Sequence, residues 1–455
     1  MADRSKGIFI SNISHELRSP LHGILASAEF LSDTYLSTLQ RTFIDSIDTC
    51  GRTLLEVINQ VLDFGKLTYM ARLKGKASRP QIQNSTSIGI VPRLNASTAD
   101  LIGIVEQTVE SCCAVHEFKG ISEQVDMGAI LGESDAEFRE KQFQRRGSGR
   151  VQDPSSPLTV IIDVEYRQEG WYFMLQSGAV QRIILNITGN ALKYTSAGWV
   201  RIQISTKKVQ SQTILQITVS DSGKGISAKF QQSRLFNPFA QEDPLQSGTG
   251  LGMSIAKQIV QHLGGEIKVS SRVGVGTRVQ ITLPGDPEMP ADSDDPCSRV
   301  RSQATAKTVY LAGFGRTTPA SRFLYESIAN YITCWYQMEI VDDVSFADLI
   351  ISNECPELLN HFRRTSSSDS QAFILSSAEQ SPTSNNVYCA KQPLIVLCSN
   401  ASQYEFFGSQ AEPGKVIDFS SKPCGPYKLA RSILFCLESQ KTVGGTYGRA
   451  DRVET

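Results

Sequence analysis

The chain has 455 residues, enough for about three domains of ordinary size. Lys plus Arg number 45 against 46 Asp plus Glu, so no global field directs it to nucleic acid or to an acidic membrane surface. Its ten cysteines form no CxxC pair, which argues against a disulfide frame or zinc site; no apolar run approaches the ~20 residues of a membrane helix, and the first residues lack the apolar stretch of a signal peptide, so a cytoplasmic protein is expected.

Residues 5–67 read as a helical hairpin. Ile10, Leu17, Ile24 and Leu31 recur at every seventh position with Ile13, Leu21 and Ala28 between them, which is a heptad seam. Ser32-Asp33 begins the break, and Ser37-Thr38-Leu39-Gln40 fits the capping box of a second helix carrying Ile44, Ile47, Leu54, Ile58 and Val61, with Gly51 at one seam position. Two such stripes cannot bury themselves on one short hairpin, so a four-helix bundle built from two chains is expected, making a homodimer. Residues 68–97 are polar and irregular and read as a linker. Asp100 to Phe118 has helical periodicity, and 120–157, rich in charge and poor in large apolar groups, reads as an insertion.

From residue 158 the texture changes. Leu158–Tyr166 and Gly170–Leu175 read as strands, Ser177–Thr195 as a helix, Trp199–Lys207 and Thr213–Ser220 as paired strands, and Met253–Leu263 as a second helix. Glu266–Ser271 and Arg278–Leu283 then form a hairpin around Gly274-Val-Gly-Thr. This order predicts an α+β sandwich over 98–285, one sheet covered by helices. Residues 286–306, heavy in Asp, Pro and Ser, read as a second linker. Apolar strands at Thr308–Ala312, Ala347–Ser352, Pro393–Cys398 and Val416–Phe419, separated by helical stretches, predict a small doubly wound α/β domain of flavodoxin-like type over 307–440. The serine-rich stretch 365–386 and the tail 441–455 read as disordered.

The chemistry sits in five short motifs. In Ser14-His15-Glu16-Leu17-Arg18-Ser19-Pro20, His15 lies two residues before the seam residue Leu17, on the flank of the bundle. An imidazole with pKa near ~6.5 is unprotonated enough at neutral pH to attack phosphorus. Glu16 is placed to accept from the second ring nitrogen, fixing the tautomer and stabilising the cationic product, and Pro20 removes the hydrogen bond to the Glu16 carbonyl. His22, the local rival, has no adjacent carboxylate.

In Asn186-Ile-Thr-Gly-Asn190-Ala-Leu-Lys193, Asn190 offers a neutral oxygen suited to a hydrated Mg2+ bridging phosphates; Asn186 lies one turn earlier on the same face, and Lys193, followed by Tyr194, meets phosphate as a point charge. Asp221-Ser-Gly223-Lys-Gly225 ends a strand. Gly248-Thr249-Gly250-Leu251-Gly252 opens a helix whose amides favour phosphate. Between the glycine runs, Leu235–Ser247 reads as a lid with Phe236 and Phe239 as apolar anchors.

Each motif alone is weak, but their order and spacing over residues 5–285 resemble the H, N, G1, F and G2 boxes of a sensor histidine kinase, the cytoplasmic hybrid type and the fungal members most of all. The resemblance implies a dimerisation and phosphotransfer hairpin, then a catalytic domain of the gyrase, chaperone and histidine-kinase type binding ATP with Mg2+. It also implies that Asp221 accepts from the adenine amino group, that Gly223 and Gly225 let backbone pass close to the base, and that Thr277 lies near the adenine. Phosphate from ATP would pass to His15 and on to a receiver aspartate or a phosphotransfer protein, with a sensor module expected upstream.

The last domain resembles a receiver stripped of its chemistry. Leu311-Ala-Gly-Phe-Gly stands where a pair of acids is expected, Asn353 where the phosphoacceptor aspartate is expected, and Cys398 where a hydroxyl residue is expected, although Lys422-Pro423 keeps the late lysine. This reads as a pseudoreceiver, with a true receiver expected beyond Thr455 or on another protein. Two other classes remain in view. A gyrase- or chaperone-type ATPase would carry a glutamate base where this chain has Asn186, and a nonenzymatic scaffold would not need all five boxes. A kinase fold running mainly as a phosphatase stays open as a third reading.

Overall fold

The computed structural model describes residues 20–31, 34, 44, 47, 51, 96–124, 158–243, 249–288, 295–353, 373–374, 387–388, 392–399 and 416–447. Within the hairpin, the described residues 20–31 are helical and are labelled α1. Leu21, Ala28 and Ile44 are buried, and the side chain of Leu25 fills the space a Cβ at Gly51 would take, 2.7 Å away. Gly51 therefore serves as the hole that lets the second segment approach the first. Ile24, Phe30, Leu31 and Ile47 stay exposed.

The central unit is a five-stranded mixed sheet in the order β2-β4-β5-β7-β6. Its strands are β2 (Thr159–Val164), β4 (Trp199–Val209), β5 (Gln212–Asp221), β6 (Glu266–Arg272) and β7 (Gly276–Gly285), with β2 parallel to β4 and the others antiparallel. Alternation sets its two faces. Val200, Ile202, Ile204, Leu215, Ile217, Val219, Ile281 and Leu283 are buried under helices, whereas Gln203, Gln216, Thr218 and Gln280 line the opposite face. The covering helices are α2 (Leu101–Gln124), α3 (Ser177–Lys193) and α5 (Gly252–His262), and α3 packs on both of the others. In α3, Val180, Ile183, Ile184, Ile187 and Ala191 repeat at three and four residues and are buried, each large one contributing roughly 1.5–3 kcal/mol. This is the α+β sandwich expected from the sequence.

Four local expectations are corrected. Strand β1 (Ser97–Asp100) pairs antiparallel with β3 (Tyr172–Leu175), so the end of the presumed linker 68–97 and the start of the expected helix are strand. Helix α2 runs on through Gln124, into the stretch read as an insertion from 120; residues 125–157 lie outside the described residues. Within 286–306, α6 (Pro296–Gln303) is a helix capped by the Asp295 carboxylate on Cys297 N at 3.0 Å, with Cys297, Val300 and Ala304 fully buried. The tail read as disordered from 441 begins as helix, since α8 (Pro426–Tyr447) continues to Tyr447.

The C-terminal unit is a five-stranded parallel sheet in the order β14-β13-β10-β8-β9. These are β8 (Thr308–Ala312), β9 (Glu339–Val341), β10 (Leu349–Asn353), β13 (Leu394–Cys398) and β14 (Ile417–Ser421); β9 was not expected. Helix α7 (Pro319–Asn330), begun by a Thr318/Ser321 capping box, passes into a π-helical turn, Tyr331–Trp335. In the serine-rich stretch, Phe373–Ile374 (β11) pairs with Val387–Tyr388 (β12), and the rest of 354–391 lies outside the described residues.

The two sheets are joined by a dense junction. The outer edge of β2 faces α7 and its π turn. Ser327 Oγ and Tyr331 OH donate to Ile162 O at 2.6 and 2.8 Å, Val164 N donates to Tyr331 OH at 3.2 Å, and Asn330 Nδ2 donates to Val164 O at 3.1 Å. One apolar cluster runs without interruption from Ala99 through both units to Leu437. On the other side of the junction Glu106 of α2, 6 % exposed, accepts from Tyr427 N at 2.8 Å and Lys428 N at 3.4 Å, closing the first turn of α8. A Cβ at Gly425 would overlap the Glu106 carboxyl.

Burial lifts the Glu106 carboxyl to about 7, against the lowering effect of these backbone donors and of Arg431. Because the folded value lies above the ordinary one, this group's contribution is complete below about pH 4.5 and is lost as pH rises through about 7. Stability is therefore expected to fall between pH 5 and 8 by up to about 3 kcal/mol from this group alone. Thermal melts of wild type and Glu106→Gln across that range check it: the slope should be present in wild type and flattened in the variant.

Candidate functional site

The residues that the N, G1 and G2 motifs single out, with Thr277, come from the ends of α3, β5, β7 and α5. Along α3, Asn186 is 9 % exposed and its Nδ2 donates to Arg182 O at 2.8 Å, which leaves the amide oxygen directed away from its own helix. Its Oδ1 and the Nδ2 of Asn190 converge on Gly252, the first residue of α5, where a Cβ would lie 2.9 and 3.5 Å from them. A methyl group there would fill the gap between the two amides. The gap is thus a requirement on glycine, set by close approach and not by backbone angle.

At the other end of the site, Asp221 closes β5 opposite Thr277 of β7. Its Oδ1 accepts from Gly223 N at 2.9 Å and Thr277 N at 3.2 Å, and burial raises its carboxyl above the ordinary value while these two donors lower it. Both donors reach one oxygen, so Oδ2 has no donor among the described residues. A Cβ at Gly223 would sit 2.6 Å from Thr195 Oγ1 and 3.0 Å from Asp221 Oδ1. Gly225, at φ +71°, crosses so close to the β6–β7 turn that a Cβ would overlap the carbonyl of Arg272 and lie 2.9 Å from Val273 Cα.

Two residues that the motifs did not single out line this end, and Ser271 ties it together. Ser271 Oγ accepts from Ile226 N at 2.8 Å, donates to Gly276 O at 2.9 Å and meets Thr277 Oγ1 at 2.8 Å, tying the glycine turn to β7. Thr195 is 1 % exposed and its hydroxyl has no protein partner. Nothing in the local sequence marks either one, because their roles arise from the meeting of separate strands and turns.

Tyr194 lies between two cations, with Lys193 Nζ at 4.8 Å and Lys224 Nζ at 4.7 Å from its ring centre. Lys193 also donates to Tyr194 OH at 3.1 Å. Thr249, Gly250 and Gly252 are half-buried, and Thr249 Oγ1 accepts from Leu251 N at 3.4 Å. Leu251 is fully buried in the core, so only its backbone can face a ligand. Phe239, expected as an apolar anchor of the lid, is 65 % exposed. At φ +63° its carbonyl carbon passes 2.7 Å from where a Gly250 Cβ would be. Leu235, 7 % exposed, is the buried anchor, and Phe236 packs beneath Lys257 Nζ at 4.5 Å. His15, Glu16 and Gly248 lie outside the described residues.

No cluster of three or more His, Cys, Asp or Glu side chains able to cage a metal occurs among the described residues. An amide-lined gap beside a glycine-opened helix suits a metal that arrives on phosphate oxygens and takes one neutral protein oxygen, as Mg2+ does.

Two stretches of the chain match known family models. Residues 176–287 match the family model described as histidine kinase-, DNA gyrase B- and HSP90-like ATPase, and residues 5–69 match the His Kinase A phospho-acceptor domain. Among curated relatives, the hybrid signal transduction protein dokA of Dictyostelium discoideum is 32% identical over 276 residues, 59% of this chain and 13% of the relative. Hybrid signal transduction histidine kinase B of the same organism is 30% identical over 288 residues, 62% of this chain and 12% of the relative. The peroxide stress-activated histidine kinase mak1 of Schizosaccharomyces pombe is 26% identical over 337 residues, covering 70% and 17%. The chain thus spans about an eighth of the length of the two Dictyostelium relatives. Among solved structures, full-length ShkA in complex with AMPPNP shares the fold at TM-score 0.51 and 18% identity, over 93% of this chain and 71% of that one. Residues 5–69 thus match a phospho-acceptor domain and residues 176–287 an ATPase domain, in that order along one chain. Among the described residues, no helix is long and apolar enough to cross a membrane.

The tight crossing at Gly225 yields a test. Gly225→Ala is expected to cost at least about 1–3 kcal/mol, since both the positive φ and the Arg272 carbonyl oppose a side chain. Chemical denaturation of the variant against wild type checks it.

Proposed function

We propose that the chain is an ATP-dependent protein-histidine kinase of a two-component phosphorelay, with His15 as the phosphorylated residue. The observation that carries this reading is the convergence of Asn186, Asn190 and the glycine-opened start of α5, together with the doubly held Asp221. On this reading a nucleoside triphosphate sits with its base at Asp221 Oδ2 and its phosphates at α5.

In this mechanism Asp221 accepts from the adenine amino group, and Gly223 and Gly225 leave room for the ring. Lys193 and the amides near Gly250 and Gly252 neutralise phosphate charge. Mg2+, when bound at Asn190, supplies charge neutralisation across the phosphates. One imidazole nitrogen of His15 forms the bond to the γ-phosphorus as the bond to the ADP oxygen breaks, while Glu16 takes up the positive charge developing on the ring. Asn186, with no basic oxygen to activate water, disfavours hydrolysis and with it the gyrase-type reading. Exposure of Ile24, Phe30, Leu31 and Ile47 on the hairpin supports a second copy of the chain as its partner.

We read the C-terminal unit as a pseudoreceiver of flavodoxin-like topology. In support, its strands run parallel in the order second, first, third, fourth, fifth. Asn353 at the end of β10 donates through Nδ2 to Gly313 O at 3.3 Å, and Lys422 Nζ meets Ser399 Oγ at 3.2 Å. An amide at that position cannot form an acyl phosphate, so the phosphoryl group would pass to a receiver or phosphotransfer protein elsewhere.

Incubation with γ-labelled ATP is expected to leave acid-labile, base-stable label on the wild-type protein and none on His15→Gln. Asn190→Ala should reduce labelling by about 10²-fold. Steady phosphate release without labelled protein would overturn the reading in favour of a hydrolase.

A further inference from the structure

We infer that Phe323, on the C-terminal unit, is a positioning residue for the adenine end of the site, deepening the nucleotide-binding reading on which it rests. Trp199, the first residue of β4, takes the ring of Phe323 edge-on, with centres 5.0 Å apart at 79°. The Arg201 guanidinium lies 4.3 Å over the same ring and is itself paired with Asp163 of β2 at 2.8 Å, both side chains being less than one-fifth exposed.

The backbone of Trp199 leads directly to the site. Trp199 N donates to Ser222 Oγ at 2.9 Å, and Ser222 N donates back to Trp199 O at 3.0 Å. Ser222 sits between Asp221, the base-facing carboxylate, and Gly223, whose N–H fixes that carboxylate. A Cβ at the neighbouring Gly198 would overlap Ser222 Oγ, so the start of β4 and the Asp221–Gly223 turn fit each other without slack. Trp199 is half-buried in the folded chain, and the ring of Phe323 packs edge-on against it. Displacing Trp199 would shift Ser222 and turn the Asp221 carboxyl relative to the base. Asn186, Asn190 and α5 stand apart from this chain of contacts, and the turn meets the triphosphate end at the close of α3, where Lys224 N donates to Tyr194 O at 3.2 Å.

Phe323 therefore governs discrimination for the 6-amino group of adenine more than affinity for phosphates. The test compares binding of ATP and inosine triphosphate, which carries a carbonyl in place of that amino group, by the full chain, using competition against a fluorescent ADP. Wild type is expected to prefer ATP. Phe323→Ala should weaken ATP by about three- to tenfold while inosine triphosphate changes little, so that the preference collapses. Phe323→Tyr should restore it, Phe346→Ala, an exposed ring on the same unit, should leave it unchanged, and Phe323→Leu, which keeps apolar volume, should behave as the alanine variant does. Equal weakening of both nucleotides, or an unchanged preference in both the alanine and leucine variants, overturns the inference. A wild-type protein that binds neither nucleotide overturns the nucleotide reading itself.

Discussion

The free edge of β2 is the constraint around which the two folded units are arranged. An edge strand presents a row of N–H and C=O groups that must find partners if they are buried, and an unpartnered edge invites pairing with another chain. Here, among the described residues, no sixth strand completes the sheet. Side chains from α7 and its π turn take the place of one, with Ser327, Asn330 and Tyr331 meeting Ile162 O, Val164 N and Val164 O. A helix can satisfy a strand edge in this way only if its polar groups recur at the right rise. The widened π turn carries Tyr331, fully buried, to where its hydroxyl both donates and accepts. Burial holds that phenol in its neutral form, well above the usual tyrosine range, which keeps it available as donor at any physiological pH.

The second fixed point has the opposite electrostatic character. Glu106 enters the start of α8, where the unpaired amides of Tyr427 and Lys428 and the helix dipole favour a negative charge, yet desolvation outweighs them. The dipole and two neutral donors supply on the order of 1–3 kcal/mol, less than the cost of a carboxylate with almost no access to water. Arg431, mostly exposed, is too well solvated to change the balance. One contact thus rests on permanently neutral groups and the other on a group poised near neutrality. Both lie against the same continuous core, so the C-terminal unit is seated at two points and cannot pivot about either alone.

Periodicity made the long elements readable. The three- and four-residue spacing in α3 and the alternation in β4, β5 and β7 correspond closely to the observed helix and strands, because each buries one face against a single layer. Short elements escaped. Strands β1 and β9, of four and three residues, owe their existence to pairing with distant partners. Helix α6 was legible in principle, since Asp295-Pro296 is a cap followed by a first-turn proline, and Cys297, Val300 and Ala304 fall on one face. The surrounding Asp, Pro and Ser residues masked it by composition. At the site, glycines and Asp221 could be read because close approach leaves a mark on residue type. Ser271 and Thr195 could not, and the left-handed backbone of Phe239 left no mark on its residue type.

On the proposed reading the C-terminal unit has exchanged one kind of chemistry for another. A receiver works by gathering carboxylates around a metal at the end of its sheet; here Asn353 bonds the Gly313 carbonyl, and no acidic cluster able to cage a metal occurs among the described residues. The polar groups that do define this unit point elsewhere: Ser327, Asn330 and Tyr331 to the β2 edge, and the amides of Tyr427 and Lys428 to Glu106. A buried hydrogen-bonding surface of this kind is costly to expose, because each bond exchanged for water forfeits about 0.5–1.5 kcal/mol and the apolar core around it is exposed as well. A unit retained for passing phosphate would need its surface free for a partner. One whose polar side chains are consumed in holding a neighbouring sheet is suited to act through that sheet, and the path from Phe323 to Asp221 is where such an action would be felt.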